Sequence, residues 1–206
     1  MVKLPKTYSQ KAAAALLRQH GCDVPFHVVR MRFLGNIATP GPMVKPLDMV
    51  QSLWGGALPA VDSMDTLNAI FEMLIGGLWN DLVRHQKRSA PVRLTRLDVP
   101  ATPEGLSTLA EVRIEELDAF ADGLLGPDDD IDELLSERAD QAINELAEVR
   151  ALFYGTHELV TSGRDKDADA PELARTLQNL MALTKITETE IHEAVMACAK
   201  ARRARG

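Results

Sequence analysis

FLGNIATPGP at residues 33–42, LDMVQSLWGG at 47–56 and SMDTLNAIFEMLIGGLWNDL at 63–82 follow one another with little between them. They read as a helix, a double-proline turn, a short tryptophan-bearing helix, a di-glycine stop and a long amphipathic helix. Pro40 and Pro42 cannot continue a helix, because the ring removes the N–H and clashes with the preceding turn. In the third phrase Met64, Leu67, Ile70, Phe71, Leu74, Leu78 and Leu82 recur at three- and four-residue spacings, the period of one helix face. Asp62 or Ser63 caps this helix. It runs into Arg84, His85, Lys87 and Arg88, cations suited to the negative end of a helix dipole. Gly76–Gly77 inside it costs about 1 kcal/mol per glycine against alanine, which predicts close approach by another helix.

Outward from this stretch the punctuation continues. A helix over about 9–20 has Ser9 as cap and Gly21 as stop; the next covers about 26–38 and a short one 47–54. Residues 89–103 carry three prolines and read as an irregular crossover. Thr102 then caps, and Pro103 opens, a helix through Leu125. A sixth helix is expected over 131–153, a polar loop over 161–169, and two last helices over 171–183 and 188–203. Aromatics are 4% of the chain, and leucine and alanine abound, so packing through aliphatic helix faces is favoured over a β-sandwich. The expectation is an all-α fold, a compact bundle of about eight helices, as a single domain over 1–206. Phe33-x-x-x-Ile37-x-x-Pro40 and Phe120-x-x-x-Leu124-x-x-Pro127 share one spacing, so two related helical halves joined near 89–103 are the alternative.

At 206 residues the chain can bury roughly 70% of its unfolded surface. The net charge of −7 disfavours phosphate backbones, so nucleic acid is not the expected partner. Two cysteines, Cys22 and Cys198, are too few for a disulfide scaffold and imply free thiols in a reducing cytoplasm. The apolar run Ala12–Leu17 is broken at once by Arg18 and is too short for a signal-peptide core or a membrane span.

The order of FLGNIATPGP, SLWGG and, later, ELDAFADGLLG (116–126) resembles the YecA/YgfB-like family of small all-helical bacterial proteins. In that family a phrase like GFLTAIA leads through a proline-rich turn into a helix ending LWGG, and a later helix carries one like ELDGFVEGLFG. Most members have no settled activity, and some work by binding a partner protein. Many end in a cysteine-rich zinc module. This chain ends in ACAKARRARG, so no metal role follows from the resemblance.

Chemistry has few anchors. His20, Cys22 and His27 cluster near one end, and His192 with Cys198 near the other. Neither set matches zinc spacing. His157–Glu158 and His192–Glu193 lack the second histidine of a zinc-protease motif, having Thr161 and Met196 there. Asp128, Asp130 and Asp132 mimic the start of a calcium loop, but Glu133 and Ala139 stand where glycine and glutamate are needed. No nucleophile elbow or phosphate-binding glycine loop is present. No catalytic residue, metal ligand or cofactor is therefore expected.

Charge is more telling. From Arg84 to Arg96 there are five cations (Arg84, Lys87, Arg88, Arg93, Arg96) and no acid; from Glu111 to Glu133 acids outnumber bases ten to one. A second cationic tail holds Lys200, Arg202, Arg203 and Arg205. The leading expectation is a non-catalytic cytoplasmic interaction or regulatory protein, with Trp79, Arg84, His85, Lys87, Arg88 and Arg93 as binding residues for another, acidic protein. The bland alternatives put Trp79 in the core and pair the basic stretch with the protein's own acidic face. The alternative function is a metal-dependent hydrolase, built on Asp118 and Asp122 with His85, or a small-molecule-binding protein with a site between helices.

Overall fold

The computed structural model describes residues 8–126, 134–162 and 169–205. Among these there are seven helices and no strand: α1 (Gln10–Gln19), α2 (Phe26–Ala38), α3 (Pro46–Ser52), α4 (64–86), α5 (Pro103–Leu125), α6 (Glu137–Thr161) and α7 (Ala170–Arg205). All seven contribute to one continuous apolar core.

The caps expected from the sequence form. The Ser9 hydroxyl accepts from the Ala12 amide at 3.1 Å, Ser63 from Thr66 at 3.2 Å and Thr102 from Gly105 at 3.2 Å. Ser63, not Asp62, is therefore the cap of α4. The proline turn after α2 is closed by Asn36, whose amide donates to the Val44 carbonyl and accepts from the Val44 N–H, both at 2.9 Å. The di-glycine stop follows from geometry: Gly55 and Gly56 have φ of 75° and 97°, a region costly for any residue with a Cβ. There Trp54 turns back, donating its indole N–H to the His20 carbonyl at 2.8 Å.

The largest helix contact is between α2 and α5. It closes through reciprocal glycines. A Cβ on Gly35 would lie 2.2 Å from the Phe120 carbonyl oxygen, and one on Gly123 2.1 Å from that of Arg32. The close approach predicted for Gly76–Gly77 is of a different kind. Gly77 faces the Tyr8 ring, at 2.6 Å from an added Cβ, and Gly76 meets only its own helix's Glu72. What meets Gly77 is thus Tyr8, just ahead of α1, and not a helix backbone; α4 itself is π-helical over Glu72–Trp79. Burial pushes the Tyr8 hydroxyl pKa up to about 12.

Two expectations are corrected in the C-terminal half. The sixth helix begins at Glu137, capped by Ser136, and runs past Phe153 to Thr161. The two final helices are one, Ala170–Arg205, which makes seven among the described residues. The expected break over 184–187 does not occur. Thr184, Thr187 and Thr189 each donate their hydroxyl to the carbonyl four residues earlier, so they meet their polar needs inside the helix. The start expected at 131, the aspartates of 128–132 and most of the 161–169 loop fall outside the described residues.

Candidate functional site

The basic stretch begins in the last, tightened turn of α4, Arg84–Gln86, and leaves the helix at Lys87, which is extended. Lys87 and Arg88 thus lie in the turn beyond the helix rather than on it. His85 donates Nδ1–H to the Ala90 carbonyl at 2.8 Å, closing that turn. Gln86 donates to the Ile37 carbonyl at 3.1 Å, tying the turn to the end of α2. Arg84 pairs with Asp81 at 3.0 Å on the exposed surface. Lys87, Arg88 and Arg96 are exposed and make no ion pair among the described residues.

Beyond Pro91 burial alternates from residue to residue, with Val92 and Leu94 inside and Arg93, Arg96 and Asp98 outside, the pattern of an extended segment, and the chain is held from beneath. Glu116, fully buried, accepts from Arg30 at 3.3 Å, from Arg113 at 2.5 Å and from the Thr95 amide at 2.8 Å. Arg30 donates onward to the Arg93 carbonyl at 2.7 Å. Arg113 donates to the Thr95 carbonyl at 2.8 Å and to the Thr184 hydroxyl at 3.2 Å. On the outer side Glu188 of α7 accepts from the Arg93 guanidinium at 2.7 Å and from the Leu94 amide at 2.9 Å. A carboxylate serving two arginines and an amide is a satisfied buried charge, so residues 93–95 are fixed in place.

Above this clamp lies a groove of about 540 Å³ between residues 93–99, α5 and α7. Its apolar lining includes Leu97, Val99, Leu109, Leu177 and Met181, the last more than half exposed. Its charged lining includes Arg93, Arg96, Asp98, Lys185 and Glu188. Arg93 and Arg96 belong both to the basic stretch and to this groove, so the two form one continuous feature.

His192 of α7 is buried close behind the turn. Burial, with His85 beside it, pushes its pKa down. Just before it on α7, Glu190 is shifted the other way: burial and its hydrogen bond with Glu145 raise its pKa.

The remaining candidates are engaged elsewhere. Trp79 is buried and packs edge-on against Phe33, with ring centroids 5.8 Å apart, so it lies in the core and not on a groove wall. Asp118 forms a two-pronged pair with Arg150, Asp122 pairs with Arg32 at 3.8 Å, and Glu115 with His27 at 2.7 Å. The acidic face of α5 is therefore paired with α2 and α6, not with the basic stretch. Asp118 and Arg150 border an apolar cleft of about 240 Å³ between α5 and α6. His85, bonded within its own turn, does not join Asp118 and Asp122 through any described bond. Cys22 is buried with its thiol 3.6 Å from the Leu53 carbonyl, and among the described residues no three metal-binding side chains converge. The cationic tail is partly structural: Arg202 donates to the Ile37 and Thr39 carbonyls, at 3.0 and 3.1 Å, capping α2. Among the described residues no helix is long and apolar enough to cross a membrane.

Sequence reasoning missed the groove because its apolar wall comes from α7, far along the chain, and from a crossover that shows no period. Only Arg93 and Arg96 marked it.

No family model matches the chain. No curated protein shows significant similarity to it. No solved structure does so either.

Proposed function

We propose that this is a non-catalytic, cytoplasmic protein-interaction or regulatory protein of the YecA/YgfB-like type, which captures an acidic partner protein on the face running from Arg84 to Arg96. The family part is supported by the order of FLGNIATPGP, SLWGG and ELDAFADGLLG along the chain. The observation that carries the docking part is electrical. Glu115, Glu116, Asp118 and Asp122 are all paired with arginine or histidine of their own chain, yet Lys87, Arg88 and Arg96 stand exposed without an ion pair among the described residues. Cations left open on a protein of net charge −7 steer an acidic surface toward one face.

The test is affinity capture from native lysate at low and high salt, with the wild type and with Arg84, Lys87, Arg88 and Arg93 all changed to glutamate. A partner that is lost on raising salt, and lost with the charge-reversed protein while its helical spectrum is unchanged, bears the reading out. Capture indifferent to the reversal removes the basic face from the account. The size and apolar lining of the 540 Å³ groove favour small-molecule binding as the second reading.

A further inference from the structure

We propose that the groove between residues 93–99, α5 and α7 holds an extended segment of the partner, with alternate apolar side chains set into the groove and carboxylates on Arg96 and Lys185. This deepens the docking reading above and rests on it.

Three observations point to an extended acidic peptide. The first is the wall itself. Residues 93–95 are pinned by Arg30, Glu116, Arg113 and Glu188, while Arg96, Leu97, Asp98 and Val99 make no backbone hydrogen bond among the described residues. An extended chain that is rigid at one end and has open N–H and C=O groups is a template for a pairing strand. Four residues at about 3.3 Å each offer roughly 13 Å of it.

The second is the lining. Leu97, Val99, Leu177 and Met181 provide apolar surface, and α5 closes the floor with Leu109. In a paired strand successive side chains point to opposite faces, so every second residue of the occupant would meet this surface.

The third is charge. Arg96 and Lys185 are exposed and have no ion-pair partner among the described residues, and both line the groove. Arg93 is held by Glu188, which leaves Asp98 as the lone unpaired acid of the lining. Carboxylates flanking the apolar residues fit that balance; a basic segment does not.

The experiment pans a phage-displayed library of random 12-residue peptides against the immobilised full chain. A synthetic copy of the enriched motif is then titrated by fluorescence anisotropy. Enrichment of alternating apolar and acidic residues is expected. Binding of the synthetic peptide is expected to weaken at least tenfold with Met181→Asp, or with Arg96→Glu and Lys185→Glu together. These positions are exposed, and circular dichroism checks that the variants keep the fold. N-methylation of alternate peptide bonds should also weaken binding on one register and not on the other. No enrichment, enrichment of basic or helix-periodic sequences, or affinity unchanged by the groove variants overturns the proposal. So does titratable binding of dodecanoate when no peptide binds, which would assign the groove to a small apolar carboxylate. If lysate capture survives Arg96→Glu with Lys185→Glu but fails with the Arg84, Lys87, Arg88 and Arg93 reversal, the docking face stands and only the groove proposal falls.

Discussion

The crossing of α2 with α5 and the groove under residues 93–99 both use arginines and leucines, yet one is sealed and the other open. At the crossing, glycines at 35 and 123 let two backbones touch, and nothing else fits between them. At the groove a single non-helical chain, residues 93–99, faces α5 and α7. A helix with its side chains is about 10 Å across, whereas a strand occupies about 4.8 Å beside a neighbour. The shortfall leaves the space that α5 and α7 line. Openness here comes from the width of the element and does not require polar residues.

Changing either crossing glycine should break the sealed region most severely. With a Cβ set 2.1–2.2 Å from a backbone oxygen, Gly123→Ala or Gly35→Ala must push the helices apart. The expected loss is about 3 kcal/mol or more by urea unfolding. Gly155→Ala on α6 is the control: nothing lies within 4 Å, so it should stabilise by up to about 1 kcal/mol. If Gly123→Ala costs no more than an ordinary surface change, the two backbones are not in contact.

Next in size is the clamp that joins the two regions. Glu116→Leu would leave Arg30 and Arg113 buried without their counter-charge, a loss of about 3–5 kcal/mol. It also removes the acceptor of the Thr95 amide, so hydrogen exchange at Thr95 should speed up more than at core amides of α2. Equal acceleration everywhere would mean that Glu116 stabilises the bundle without specifically fixing the crossover.

How far the sequence foretells these regions follows from the range of the forces involved. The caps at Ser9, Ser63 and Thr102 and the stop at Gly55–Gly56 are local chemistry, and each forms where the residues place it. The reciprocal glycines were legible as glycines but not as partners, because pairing Gly35 with Gly123 is a tertiary fact. The merger of the last two helices was not legible, because nothing local shows that Thr184, Thr187 and Thr189 bond back one turn. Of the binding residues, the arginines and lysines announced themselves by charge. Trp79, one position from the apolar stripe, was open to a binding or a core reading, and the core reading holds. Leu177, Met181 and Lys185 carried no signal at all, as they meet the crossover only when α7 folds over it.

Protonation gives a smaller and signed effect at two groups of α7. The fold lowers the pKa of His192 from 6.5, so it favours the neutral ring. Stability from that preference is complete above about pH 6.5 and declines as pH falls toward the folded value. Glu190 acts oppositely. Its pKa is raised from 4.5, so the fold favours the protonated acid, and stability declines as pH rises above about 4.5 through the folded value. His192→Leu should therefore flatten the fall in Tm between pH 7.5 and 5.5, and Glu190→Gln should raise Tm at pH 7. A shift of about 2–4 °C is expected for each 1 kcal/mol. An unchanged acid-side slope in His192→Leu would show that its ring gains a partner when it is charged.

The smallest expected effect on stability carries the most weight for function. Lys87, Arg88 and Arg96 make no ion pair among the described residues, so changing each to glutamate should move stability by about 0.5 kcal/mol or less. Arg93→Glu should cost somewhat more, about 0.2–1 kcal/mol, because an exposed pair is lost and a carboxylate is placed beside Glu188. The comparison then turns on rank. If Lys87, Arg88 and Arg96 prove neutral to folding, the chain's own stability does not require these three cations, and they are free to serve a partner. If instead they cost as much as Glu116→Leu, the cations are holding the molecule together, and the difference between an open region and a sealed one disappears.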